Sequence, residues 1–333
     1  MSSIFDRFEL SSFQRLWNNA QAVRKQTRKP ILFILADMAG CILFDHVGYM
    51  EYNLFHFAGK PKKQRDTYVT FDYSQHLFKT LNDSGYLDLF NDKLSFNKIF
   101  RSYLGRDFLD VGDTDYDGFV SFCKDRPKIF AKPADSCSGK GIYRHFEINE
   151  DTDLKELYDY LKEHKLFIED SIVQNEKMAS LHPSSINTVR VTTVLDKHDV
   201  PHVMYALQRI GIGEMSVDNV GSGGIYTVLS EDGVINNPCW SDKTISTYTK
   251  HPTTGMDLIG FEVPYFKEAL ELCKKAALEE KHIRYVGWDI AIGEKGPLIV
   301  EGNPLPGYDM PQNYYVTGKD TGLKPEFEKI LGE

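Results

Sequence analysis

The chain has 333 residues, 41% hydrophobic and 26% charged, with a formal net charge of -9. That length can bury a core in two or three domains, and that charge argues against a nonspecific nucleic-acid binder. Five cysteines (Cys41, Cys123, Cys137, Cys239, Cys273) stand apart with no CxxC pair, as expected of free thiols in a reducing compartment. The first residues lack a basic stretch leading into an apolar core, and the most apolar run, 31–44, is short and contains Asp37. A cytoplasmic protein with no transmembrane segment is expected.

Residues 1–29 read as a helix or helical hairpin with a basic end, stopped by Pro30. The aromatic-rich stretch 31–58 is expected to pack as the core of a small helical region, its apolar run 31–44 buried rather than laid on a membrane surface. GKPKKQRD (59–66) reads as a solvated cationic loop. Residues 71–105 read as helices, with Leu77, Leu81, Leu87 and Phe90 at helical spacing.

In PKIFAKPADSCSGKGIYR (127–144) a strand ends at Lys132, a loop of small residues follows, and a second strand begins near 142. Ser136, Ser138, Gly139 and Gly141 would let backbone N–H groups approach phosphates; Lys132 adds a fixed positive charge and Lys140 a mobile one. GxxxxGK[ST] is absent, so this is not a Walker A loop. An amphipathic helix is expected over 151–165, with Leu154, Leu157, Tyr158 and Leu161 on one face. A strand then runs into Glu169 and Asp170.

In HPSSINTVRVTTVL (182–195), Val189, Val191 and Thr193 alternate with Arg190, Thr192 and Val194, so Asn187 and Arg190 enter an otherwise apolar strand. Such an arginine needs an acidic partner, or it receives a phosphate or carboxylate. A strand at 202–209 leads into a long Gly-rich loop carrying Asp218, Asn219, Ser222 and Gly223, read as a segment that closes over substrate. A helix at 263–281 should pack on the sheet, and 308–333 should be peripheral.

The most informative stretch is YVGWDIAIGEKGPLIVEGNPLPG (285–307). Two apolar runs around a Gly-containing turn predict a hairpin that sets Asp289 beside Glu301. Strand alternation puts Asn303 on the face of Glu301. Three oxygen donors on adjacent strands suit Mg²⁺ carrying a nucleotide's phosphates.

With NDKLSFNKIF (91–100), LFIEDSIVQNE (166–176) and SVDNVGSGG (216–224) added, the order of these pieces resembles the ATP-grasp superfamily. It is most similar to the sugar-transfer-associated ATP-grasp family found beside polysaccharide-biosynthesis genes. The resemblance implies an α+β fold of two lobes clamping ATP, at 91–170 and 171–333, after a mainly helical region at 1–90. By position, Lys93 and Lys132 look like phosphate-contacting lysines and 136–141 like the phosphate lid. Residues 167–170, with Glu169 and Asp170, look like the adenine hinge, and Glu176 like the ribose-binding acid. Arg190 and Arg209, with Lys132, fall where catalytic cations stabilise transferred phosphate. Asn187, Arg190, Asp218, Asn219, Ser222 and Gly223 fall on the substrate side, and Asp289, Glu301 and Asn303 match the metal triad.

One departure is Gly287, where D-alanine-type ligases place an arginine two residues before the metal aspartate. The N-terminal 90 residues also lack the usual Rossmann-like pattern. The implied activity is an ATP- and Mg²⁺-dependent carboxylate–amine ligase acting through an acyl-phosphate. Its partners would be a small-molecule acid, such as a sugar acid or amino acid, and an amine, in capsule or O-antigen biosynthesis. A small-molecule kinase and a non-catalytic nucleotide-binding subunit are the alternatives. Assembly is open between a monomer and a homodimer.

Overall fold

The computed structural model describes residues 10–134, 144–215, 218 and 220–332. Two antiparallel sheets organise these residues. The smaller has four strands in the order β1-β4-β2-β3, with β1 at Phe108–Leu109, β2 at Lys128–Pro133, β3 at Arg144–Glu147 and β4 at Leu166–Asp170. The larger has seven strands in the order β11-β10-β5-β6-β7-β8-β9. These are β5 (Val189–Leu195), β6 (Pro201–Ile210), β7 (Ile225–Val228), β8 (Cys239–Ser241), β9 (Ser246–Tyr248), β10 (Tyr285–Gly293) and β11 (Gly296–Asn303).

The small sheet has one apolar face and one polar face, as period-two alternation dictates, whereas the large sheet is covered by apolar cores on both faces. In the small sheet Ile129, Ala131, Leu166 and Ile168 point into a core closed by the helices Tyr116–Cys123 and Leu154–Glu163. The second helix starts where Asp153 accepts hydrogen bonds from the N–H groups of Lys155 and Glu156, both at 2.9 Å, a cap contributing about 1 kcal/mol. The opposite face carries Lys132 and Glu169. In the large sheet Val189, Val191, Trp288, Ile290 and Ile292 face a core with Ala269, Cys273 and Ala276 of the helix Phe266–Ala276. Arg190, Arg209 and Asp289 lie on the other face.

The β10–β11 hairpin forms as expected. Gly293 pairs with Gly296 around a two-residue turn, and Asp289 is the cross-strand partner of Glu301. Gly296 has φ +134°, a conformation that L side chains rarely adopt and glycine tolerates.

The N-terminal helices do not close a core of their own. Ala20, Val23, Ile34, Tyr52 and Phe57 pack with Tyr226 and Trp240 of the large sheet and with Val316. The expectation that 308–333 is peripheral is corrected here. Phe327, on the helix Lys324–Leu331, is buried against Tyr285 at a ring-centroid distance of 5.8 Å, because its apolar positions recur on one side of an otherwise polar helix. The solvated loop expected at 59–66 instead contains the helix Lys62–Arg65 and a buried Lys60, which pairs with Asp320 at 2.9 Å. The run 31–44 is only half buried. Ile34, Met38 and Cys41 are inside, but Leu32, Phe33, Leu43 and Phe44 are exposed. Cys41, Cys123, Cys239 and Cys273 are free and buried; Cys137 lies outside the described residues.

Candidate functional site

Two charge clusters stand on the two sheets, one on the polar face of the small sheet and one on the large sheet on the face opposite Trp288. The first centres on Glu169. Strand pairing sets Phe130 opposite Glu169 and Lys132 opposite Phe167, so Lys132 and Glu169 are diagonal neighbours on one face. Lys132 Nζ lies 2.8 Å from Glu169 Oε1, and Arg106 Nε lies 3.2 Å from Glu169 Oε2. Asn97 donates to the same Oε2 at 3.3 Å. All four side chains are buried. Burial alone would raise the Glu169 carboxyl, but Lys132 and Arg106 overcome it and hold the group below its ordinary range. Burial is also the largest influence on Lys132 and lowers its ammonium, with Glu169 and Glu301 acting in the opposite sense.

Arg106 was not singled out in the sequence. Besides Glu169 it donates to the carbonyls of Ile299 at 2.7 Å and Val300 at 3.2 Å, so one guanidinium ties β4 of the small sheet to β11 of the large one. Its only sequence signal is an arginine two residues before a short apolar strand.

The second cluster centres on Asp289. Arg190 pairs with Asp289 across β5 and β10 and grips its carboxylate through Nε and through Nη2, the latter at 2.8 Å. Arg209 Nη1 reaches both carboxylate oxygens at 3.0 Å. Burial opposes ionisation of Asp289, yet the two arginines win and hold its carboxyl far below the usual range. Asp218 lies 3.7 Å from Arg209 Nη2 and accepts from the Thr188 N–H at 2.7 Å and from the Thr188 hydroxyl. Burial outweighs these partners and raises the Asp218 carboxyl. Glu301 opens to solvent, though its carboxyl is pushed upward by the crowded surroundings and by the Asp289 charge.

Gly287 bears on the departure noted in the sequence. A Cβ there would meet Pro306 Cβ at 2.8 Å, Arg190 Cδ at 3.2 Å and Arg190 Nη1 at 3.3 Å. The space above Gly287 is filled by a guanidinium carried on β5.

The donors fit a hard divalent cation by type: two carboxylates facing across a hairpin and an amide oxygen. Two of them are already engaged. Asp289 serves both arginines, and Asn303 Oδ1 accepts from the Leu305 N–H at 2.9 Å. Among the described residues no group of three His, Cys, Asp or Glu side chains forms a metal cluster, so a cation here would share Asp289 with the guanidiniums.

Several expected roles change. Asn187 is fully buried, and its amide donates to the carbonyls of Met178 and His182, both at 3.0 Å. It is spent on the chain's own backbone and cannot reach a substrate. The adenine hinge at 167–170 is interior strand, with Ile168 and Glu169 paired to β1 on one side and β2 on the other, so its backbone groups are already used. Asp170 is held by Arg126 Nε at 2.6 Å and by the Asp107 N–H at 2.9 Å. The loop read as closing over substrate is pinned in its described part. His182 meets the Gly213 carbonyl at 2.9 Å, His251 the Gly211 carbonyl at 2.7 Å, and Asp218 holds Thr188. Glu176 is exposed at the start of the short helix Glu176–Ala179. The Lys93 backbone N–H donates to the Ala134 carbonyl at 2.9 Å, which brings Lys93 to the end of β2. Gly223, at φ +118°, lies under the Lys243 side chain. Ser136, Ser138, Gly139, Lys140, Gly141 and Asn219 lie outside the described residues, as does the Ser222 side chain.

Among curated proteins none matches the chain in sequence. Solved structures similar to it include the ATP-grasp ligase PsnB complexed with minimal precursor (13% identity, 75% of this chain and 62% of that one, TM-score 0.42). Another is the ADP complex of purK, N5-carboxyaminoimidazole ribonucleotide synthetase (11% identity, 79% and 58%, TM-score 0.45). A third is D-alanine–D-alanine ligase from Bacillus anthracis (12% identity, 78% and 74%, TM-score 0.41). The chain thus spans about three fifths of the length of the first two. No helix among the described residues is long and apolar enough to cross a membrane. The family described as sugar-transfer associated ATP-grasp matches residues 72–330, most of the chain, and the chain belongs to that family.

Proposed function

We propose that the chain is an ATP-dependent carboxylate–amine ligase that forms an amide through an acyl-phosphate. Its acid would be a small sugar acid or amino acid, in the setting of polysaccharide assembly that the family's description suggests. The observation that carries this reading is the pairing of Arg190 and Arg209 with Asp289 beside the open carboxylate of Glu301. It sets two fixed cations against an acidic pair on one face of the large sheet. Glu301, Asn303 and a shared Asp289 would hold Mg²⁺, which would supply neutralisation of the phosphates' charge.

The chain's own residues then supply electrostatics rather than a nucleophile. Lys132, whose charge is felt at Glu301, faces the phosphates from the small sheet. Arg190 and Arg209 stabilise charge on the transferring group and on the substrate carboxylate as it attacks. Their pairing with Asp289 fixes both guanidiniums in place beforehand, so little reorganisation accompanies the reaction. The acyl-phosphate carbon is then attacked by the amine and phosphate leaves.

The kinase alternative drew its weight from Gly287. With the Arg190 guanidinium over that glycine, the site does not lack the cation that an acyl-phosphate needs. The test is ADP release with a panel of uronic acids and amino acids, with hydroxylamine in place of the amine. A hydroxamate formed in step with ADP is the expected result. A stable phosphorylated hydroxyl product, with no hydroxamate, would overturn the ligase reading in favour of a kinase.

A further inference from the structure

The segment 31–45 is a surface helix that is apolar almost all round. It runs as the α-helix Ile31–Gly40 and continues through the π-turn Cys41–Asp45. A helix of that kind is normally buried in a core or in lipid. Here Ile34, Met38 and Cys41 face the protein, while Leu32, Phe33, Leu43 and Phe44 lie on the opposite side at 77%, 49%, 69% and 83% exposure. At 100° per residue those four fall within one arc, with Ala36 and Gly40 between them. On the adjacent helix, Leu10–Thr27, Phe13 and Trp17 stand one turn apart, 66% and 39% exposed. Single exposed apolar residues are ordinary, but a cluster of large ones marks an interaction surface.

Charge identifies the partner. Between residues 10 and 36 there are five cations (Arg15, Arg24, Lys25, Arg28, Lys29) and no acid, in a chain whose net charge is -9. Lys29 Nζ sits 5.0 Å from the centre of the Phe33 ring, at the edge of the apolar face. The one acid of the helix, Asp37, is neutralised by Arg65 at 2.7 Å and by the Tyr52 hydroxyl at 2.6 Å. Asp45, at its end, is held by Lys62 at 2.6 Å. Apolar tips beside a run of chain that carries five cations and no acid match an anionic lipid surface, where the tips enter the acyl boundary and the cations meet headgroups. A second copy fits poorly, because a two-fold interface presents the same patch twice and would bring both sets of cations together.

We infer that the helices Leu10–Thr27 and Ile31–Gly40, with the turn Cys41–Asp45, dock the protein peripherally on an anionic membrane surface. Nothing in this depends on the ligase reading. The full chain is mixed with sucrose-loaded vesicles of phosphatidylcholine alone or with 30% phosphatidylglycerol and sedimented at two salt concentrations. Trp17 is an internal reporter, since Trp240 and Trp288 are buried.

Binding to the anionic vesicles, a blue shift of tryptophan emission and weakening by salt are expected. Leu32→Ser/Leu43→Ser/Phe44→Ser should lower the partition coefficient by roughly tenfold or more, and Arg24→Glu/Lys25→Glu by a similar factor. These side chains are exposed, so thermal unfolding should match the parent. No sedimentation with anionic vesicles, or sedimentation that neither variant reduces, overturns the inference. So does a dimer in analytical ultracentrifugation that the triple serine variant dissociates.

Discussion

Asp289→Asn separates a purely catalytic acid from one that also holds the fold. In the structure Asp289 is buried and accepts four contacts from two arginines, themselves buried. Asparagine keeps one acceptor oxygen and turns an NH₂ group toward a guanidinium, so Arg190 and Arg209 lose their counter-charge. Removing one partner of a buried ion pair costs about 3–5 kcal/mol, out of a total stability of about 5–15 kcal/mol. The variant should therefore fold but melt roughly 4–7 °C lower.

The sign with pH follows from the depressed carboxyl. A group whose folded pKa lies below its unfolded value contributes stability that is complete above the unfolded pKa, about 4, and is lost as pH falls through the folded value. The gap between parent and variant should be constant from about pH 8 to 5 and close only below about 4. Glu301→Gln is the contrast. That side chain is exposed, so its stability should stay within about 1 kcal/mol of the parent while ATP turnover collapses. Differential scanning fluorimetry without nucleotide measures both. A melting point for Asp289→Asn within about 2 °C of the parent, or an equal loss in Glu301→Gln, would show that the arginines do not depend on Asp289.

Three further outcomes can be measured. Arg106→Met leaves Glu169 with Lys132 as its one charged partner and frees the Ile299 and Val300 carbonyls; it should cost about 2–4 kcal/mol in urea denaturation and raise the KM for ATP, and parent values of both would remove the strut between the sheets. Gly287→Ala pushes a methyl against Pro306 and Arg190; we expect a cost of about 1–3 kcal/mol and a fall in turnover of tenfold or more, whereas parent turnover would show that Arg190 need not lie there. Asp242, half-buried and beside Asp309, has its carboxyl pushed up to about 6 by desolvation and the Asp309 charge. Its folded state holds a proton more tightly than the unfolded one, so stability falls as pH rises from about 4 to 6. Asp242→Asn should accordingly gain up to about 2 kcal/mol over the parent at pH 7 and nothing at pH 4, and a gap independent of pH would refute this.

What the sequence disclosed and what it hid divide along a physical line. The hairpin was legible because its turn and its alternation are local, but alternation from that turn would set Asp289 opposite Val300, and the β-bulge between Asp289 and Ile290 is what brings Asp289 opposite Glu301. The ATP-grasp family was legible because its pieces keep their order along the chain. The partners of Glu169 were not legible. A carboxylate at a strand end looks the same whether it meets a ribose or a buried guanidinium, and Arg106 lies 63 residues away in sequence. Asn187 misled for the same reason: a polar residue entering an apolar strand signals a partner but not which one, and here the partners are carbonyls of its own connecting loop. Gly287 shows the converse. Read along β10 it is a missing arginine, but read across the sheet it is the room that Arg190 needs. Two positions, on β10 and on β5, can deliver a guanidinium to one place, and only the pairing of the strands tells which of them does so. For a charged site on a sheet face, cross-strand register therefore carries chemical identity that the linear motif cannot.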